Sequence, residues 1–257
     1  VNNIKILLVE DDKRLTRLLQ IYLKDFGYEN VSIAASGTDA IELARKTRQD
    51  LLIMDIILEG TIDGIQAAKE IRSMYDVPVI YLTGFSDDAM LDELKRTEPY
   101  GYILKPPDPR HLKIMIEVAL YKNNIEKKLK ESEMWFHSAL KSISDGVIVF
   151  DRSGKIKFVN PVAGFMMDCN EHENSFGIEM LELFNNVDKC LRDDVKSLVS
   201  NVMNNATYIK NDNIYTVSTK NKGAIKFNIE ATPIIDDKEN LIGAILFLKS
   251  VTAKNIS

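Results

Sequence analysis

The chain has 257 residues, 45% of them hydrophobic and 28% charged, and a net charge of −5. This balance is expected of a folded, soluble chain long enough for two ordinary domains, and it argues against disorder. No apolar run approaches the ~20 residues of a membrane span, the N-terminus lacks a secretion-signal pattern, and two cysteines are too few for a disulfide framework, so a cytoplasmic protein is expected.

The acidic excess lies in the first half. Residues 1–121 hold 15 Lys+Arg against 20 Asp+Glu, whereas 122–257 hold 18 of each. Neither half has the basic excess of a nucleic-acid binder, so neither nucleic acid nor membrane is expected as a partner.

Strand and helix signals alternate through residues 1–121. Apolar runs at 4–9, 31–35, 51–55, 79–82 and 102–104 predict five short strands. Helical spacing recurs at 15–26, 37–48, 64–75 and 87–97, and a further helix starts after Pro106-Pro107-Asp108-Pro109. Near-continuous apolar strands alternating with helices predict a doubly wound α/β domain, a five-stranded parallel sheet covered on both faces.

In such a sheet ligands bind beyond the carboxyl ends of the strands. Those ends read Glu10-Asp11-Asp12, Asp55, Thr83 and Lys105. An ionised carboxylate in a dry core costs several kcal/mol unless paired or metal-bound, so Asp55, closing the apolar run LLIMD, is expected at the strand's mouth. Clustered carboxylates repel, and Mg²⁺ relieves that repulsion through one or two of them while leaving positions for phosphate oxygens. Asp55 is then a nucleophile toward phosphorus, with Lys105 neutralising the phosphoryl oxygens and Thr83 donating a hydrogen bond to one of them. The plainer alternative is that Glu10, Asp11 and Asp12 cap the first helix while Lys105 forms a surface pair.

The segments LLVEDD, LLIMDI, VIYLTG and GYILKP together resemble the receiver domain of two-component response regulators, a flavodoxin-like fold, over residues 1–121. The resemblance implies that Glu10 and Asp11 hold Mg²⁺, with Asp55 both phosphoacceptor and metal ligand and the backbone carbonyl of Ile57 completing the set. It further implies that Thr83 and Lys105 contact the phosphoryl group, that Tyr102 is an aromatic switch moving with Thr83, and that the Lys105-Pro106 bond is cis. A sensor histidine kinase or phosphotransfer protein would be the donor. One departure is visible: such domains commonly have Pro four residues after the phosphoacceptor, where this chain has Glu59, and Asp63-Gly64 comes one residue late.

Strand signals in the second half, at 146–150, 156–159, 214–219, 224–235 and 241–251, flank helical stretches within 160–204 and predict an α+β module with an antiparallel sheet. Asn160 before Pro161 reads as a helix N-cap. The opening ISDGVIVFDRSGKIKFVNPVAGF and the ending ATPIIDDKENLIGAILFLKSVT are similar to a PAS domain, assigned to 143–257, with its ligand unknown. His172 in a polar stretch and Cys169 without a flavin-adduct setting make haem and flavin poor expectations. Core filling is favoured over a ligand pocket for Phe158, Phe165, Met166, Met167, Phe227 and Phe247.

Between the modules, 122–142 reads as a helical connector. Positions 118, 122, 125, 129, 132, 136, 139 and 143 alternate steps of four and three, and six of the eight are apolar, which predicts a coiled-coil seam and a homodimer. An amphipathic helix packed on its own domain is the competing reading. The expected function is phosphorelay signalling without enzyme activity beyond self-phosphorylation at Asp55, relayed through the connector to the PAS module. The alternative is the N-terminal part of a hybrid sensor histidine kinase whose transmitter lies beyond Ser257.

Overall fold

The computed structural model describes residues 2–84, 99–167, 177–185, 187–219 and 223–251. The helix expected at 87–97, His172 and Cys169 lie outside them. The chain divides into two units, Val1–Glu131 and Ser132–Ser257.

In the first unit β1 (Asn2–Val9), β2 (Tyr28–Ala34), β3 (Leu51–Asp55), β4 (Val79–Thr83) and β5 (Gly101–Leu104) form one parallel sheet in the order β2-β1-β3-β4-β5. Successive side chains point to opposite faces of a strand, so an apolar run feeds two cores. Leu7, Val9, Leu52, Met54, Val79 and Tyr81 pack with α2 (Gly37–Lys46) and α3 (Gly64–Met74). Ile6, Leu8, Leu51, Ile53, Ile80 and Leu82 pack with α1 (Lys13–Asp25) and the first turns of α4 (Pro109–Lys141). Every residue of β3 and β4 is buried, which is why both runs lack the polar alternation of a half-exposed strand.

Helix α4 has 33 residues, about 50 Å at 1.5 Å per residue. The packed reading holds for its first turns. Leu112, Ile116, Ala119 and Asn123 are buried against the first unit. Val118, Ile125, Leu129 and Phe136 of the expected seam are instead 49%, 46%, 59% and 53% exposed. No described helix is long and apolar enough to cross a membrane.

The second unit has an antiparallel sheet, β7 (Ile156–Val159), β6 (Gly146–Asp151), β10 (Leu241–Ser250), β9 (Gly223–Ile235) and β8 (Ile209–Thr219), adjacent in that order. Alternate residues, among them Ile148, Phe150, Phe227, Ile229, Leu246 and Leu248, form one core with α5 (Pro161–Met166), a 3₁₀ turn (Met180–Phe184) and α6 (Lys189–Asn205). Met166, Met167 and Phe227 fill this core, whereas Phe165 is 36% exposed. Strand β8 begins five residues before its apolar signal at 214. The ladder to β9 from Ile209 to Asn211 recruits the polar stretch IKNDN, and a register shift between Asn211 and Tyr215 absorbs the rest. Cys190 is an exposed free thiol.

Candidate functional site

The rim at the strand ends is assembled by local rules. Asp12 caps α1, its side chain accepting from the Arg14 amide at 2.7 Å. Thr16 Oγ1 donates to the carbonyls of Glu10 (3.2 Å) and Asp12 (2.9 Å), holding the turn after β1. Capping therefore accounts for one of the three consecutive acids. Glu10 and Asp11 turn to the rim instead, where they offer carboxylate oxygens within 4.8 Å of one another and of Asp55.

Glu10, Asp55 and Thr83 are 2%, 4% and 3% exposed. Lys105 follows β5, its amide donating to the Thr83 carbonyl at 2.7 Å. Its Nζ bridges Glu10 Oε2 at 2.6 Å and Asp55 Oδ2 at 2.7 Å. The Ile57 amide donates to Asp55 Oδ1 at 3.3 Å and the Glu59 amide to Asp11 Oδ2 at 2.9 Å. Gly64 is needed behind Asp55, because a Cβ there would stand 1.8 Å from the Asp55 carbonyl oxygen. The Lys105-Pro106 bond is cis. Ile57 is 57% exposed, and Tyr102, paired with Tyr81 across β4 and β5, is 51% exposed.

One ammonium does not neutralise three carboxylates. Burial, reinforced by the neighbouring acids, outweighs Lys105 and holds the pKa values of both Asp55 and Glu10 above their ordinary range. Burial opposes the Lys105 charge as well, but hydrogen bonds and attraction from Asp55 and Glu10 outweigh it and raise its pKa. A compact set of oxygen donors carrying surplus negative charge fits a hard divalent cation such as Mg²⁺.

These directions set a pH dependence. A carboxyl group with a raised folded-state pKa binds its proton more tightly when folded. Its contribution to stability is complete below the unfolded pKa and is lost as pH rises through the folded value. Asp76, lowered by Lys130, acts in the opposite sense and below the ordinary range. In EDTA the first unit is therefore expected to melt several degrees lower at about pH 8 than at about pH 5, and Mg²⁺ should remove most of the difference. Thermal scans in which stability rises across that interval without metal would contradict this.

The family model for the response regulator receiver domain matches residues 6–117. The N-terminal unit is a response regulator receiver domain. Receiver domains take part in two-component phosphorelays with histidine kinases or phosphotransfer proteins, and they bind Mg²⁺ at an acidic site of this kind. The probable transcriptional regulator ycf29 of Porphyra purpurea is 36% identical over 128 residues, 48% of this chain and 59% of its own length. The transcriptional regulatory protein ResD of Bacillus subtilis is 33% identical over 119 residues, 46% of this chain and 49% of its own. The chain thus spans about half the length of the curated relatives it matches. Among solved structures, the N-terminal domain of a response regulator/sensory box/GGDEF 3-domain protein from Carboxydothermus hydrogenoformans is 34% identical. It covers 47% of this chain and 98% of its own, with a TM-score of 0.43.

The receiver rim gathers Glu10, Asp11, Asp55, Thr83 and Lys105. Sequence reasoning missed the tie between Asp11 and the loop after β3. Its only signal was Glu59 at a position where proline would offer no amide.

Proposed function

We propose that this receiver takes a phosphoryl group from a sensor histidine kinase or phosphotransfer protein onto Asp55 and relays the change through α4 to the C-terminal module, read as a PAS sensory or interaction domain. The observation that carries this reading is Lys105 Nζ bridging Asp55 and Glu10 at the mouth of a buried strand.

Glu10, Asp11, Asp55 and the Ile57 carbonyl would hold Mg²⁺, which when bound draws charge from the phosphoryl oxygens. An oxygen of Asp55 attacks phosphorus, the P–N bond of the donor's phosphohistidine breaks, and its imidazole leaves with the electron pair. Lys105 transfers its ammonium from Asp55 to a phosphoryl oxygen, and the Thr83 hydroxyl donates to another. The test is acid-labile labelling of the full chain by a small acyl phosphate, expected with Mg²⁺ and absent in EDTA. Equal labelling in EDTA would refute the metal-dependent reading.

Strand β5 supports the relay step. It carries Tyr102 and runs into Lys105, and Tyr100 just before it donates its hydroxyl to Glu126 of α4. Lys122 lies over the Tyr100 ring at 5.0 Å, and Lys130 pairs with Asp76 at 2.7 Å. A shift of β5 thus reaches the helix through Tyr100 with Glu126 and Lys122, while the Lys130–Asp76 pair ties the helix to the loop before β4. We take Thr83 and Tyr102 as the switch that biases two pre-existing states.

The exposed Val118, Ile125 and Leu129 suit a homodimer through the connector, and no nucleic acid or membrane is invoked. Light scattering after size exclusion is expected to show a dimer favoured by a phosphoryl mimic, and the double variant I125D/L129D should be monomeric under both conditions. A wild-type chain monomeric throughout would refute the dimer. A hybrid-kinase fragment remains the second reading, and ATP-dependent self-labelling of the chain would favour it.

A further inference from the structure

We propose that the main-chain amide of Glu59 is a positioning group for the divalent cation, fixing Asp11 so that the loop after β3 sets both the affinity of the receiver for Mg²⁺ and its selectivity over Ca²⁺. This inference rests on the reading of Glu10, Asp11 and Asp55 as the metal-binding set.

The three carboxylates are not held alike. Glu10 and Asp55 are buried and share the Lys105 ammonium. Asp11 is only half-buried, on the turn leaving β1, and the hydrogen bond described for its side chain comes from the Glu59 amide, 48 residues away, to Oδ2 at 2.9 Å. That bond occupies one acceptor position of the carboxylate and leaves others to meet a cation. Without it the side chain would have to give up rotamer freedom at the moment of binding.

The amide is itself well placed to act as a fixed donor. Leu58 on one side is 8% exposed and belongs to the core formed with α2 and α3. Gly60 on the other has φ +122°, a conformation side-chain-bearing residues rarely adopt. Further along, the Ile62 carbonyl approaches α2 so closely that a Cβ on Gly37 would lie 2.6 Å from it. The direction of the N–H is therefore set by anchors on both sides of the loop. The Glu59 side chain is exposed and takes no part in this contact.

Orientation matters unequally for the two cations. Mg²⁺ demands near-ideal octahedral geometry with short bonds, whereas Ca²⁺ accepts irregular sets of oxygens at longer distances. Freeing Asp11 should therefore weaken Mg²⁺ more than Ca²⁺.

Two variants of the full chain separate the amide from the side chain: E59Q keeps the N–H, and E59P lacks it. Calorimetric titration is expected to show E59P binding Mg²⁺ roughly tenfold more weakly than E59Q, a loss on the scale of a hydrogen bond to a charged group. Ca²⁺ should weaken by only about two- to threefold. Equal Mg²⁺ affinities in E59P and E59Q, or equal losses for both cations, would overturn the inference. Should the proline disturb the loop, amide hydrogen exchange decides independently. In D11A without metal the Glu59 amide is expected to exchange about tenfold faster or more, with β3 unchanged, and an unchanged Glu59 rate would overturn the inference as well. A wild-type chain that binds no Mg²⁺ would instead refute the metal-site reading on which it rests.

Discussion

Asp55→Asn is expected to abolish phosphoryl uptake, lowering labelling by an acyl phosphate on the order of a thousandfold or more. The amide is isosteric but is a poor nucleophile toward phosphorus and a weaker ligand for a hard cation, so attack and charge neutralisation fail together. The fold should survive. The substituted carboxamide still offers an oxygen to the Ile57 amide, Lys105 keeps Glu10 at 2.6 Å, and one of three mutually repelling charges is gone. Because burial raises the pKa of Asp55, the variant should melt higher than wild type in EDTA near neutral pH. Acid-labile label on D55N at the wild-type level would place the phosphoacceptor elsewhere. Loss of label with loss of fold would leave Asp55 structural rather than chemical.

In the second unit the largest effect is expected from Asn160→Ala. Asn160 is fully buried. Its Oδ1 accepts from the amides of Val147 and Ala163, both at 2.9 Å, and its Nδ2 donates to the Asp145 carbonyl at 2.8 Å. One side chain thus caps α5, ties β6 to the end of β7, and satisfies the turn before β6. Alanine strands two buried donors and leaves the acceptor, at a partly buried turn, without its partner. Cap loss alone costs about 1 kcal/mol, and each unsatisfied buried group adds about 1–3 kcal/mol, so a loss of roughly 3–4 kcal/mol is expected after relaxation. Hydrogen exchange of β6 and β10 amides under native conditions should speed up accordingly while that of β1 and β3 stays unchanged. A change below about 1 kcal/mol would mean that water or backbone movement replaces these bonds.

The parts of the fold legible in the sequence are those whose stability is local or periodic. Strands buried on both faces are written as unbroken apolar runs, so LLIMD and VIYLT announce themselves, and the polar residues that end them mark the rim. The helix 109–141 is legible because no glycine or second proline interrupts it. Asn160 is legible as a cap because Pro161 follows it.

Other features depend on partners distant in sequence. No local pattern marks residues 209–213 as strand, since Asn211, Asp212 and Asn213 favour turns; Ile209 to Asn211 join the sheet because β9 offers unpaired backbone groups beside them, and the register shift before Tyr215 takes up the rest. The same holds at the site. Sequence alone supplied the candidate set of Glu10, Asp11, Asp55, Thr83 and Lys105. Only tertiary structure divided the labour among the acids: Asp12 to the helix cap, Glu10 and Asp55 to Lys105, and Asp11 to an amide 48 residues away. Residue types and spacings specify which groups arrive at a rim. Which hydrogen bonds they make there depends on where other strands and loops deliver backbone donors, and that is decided by packing rather than by any local pattern.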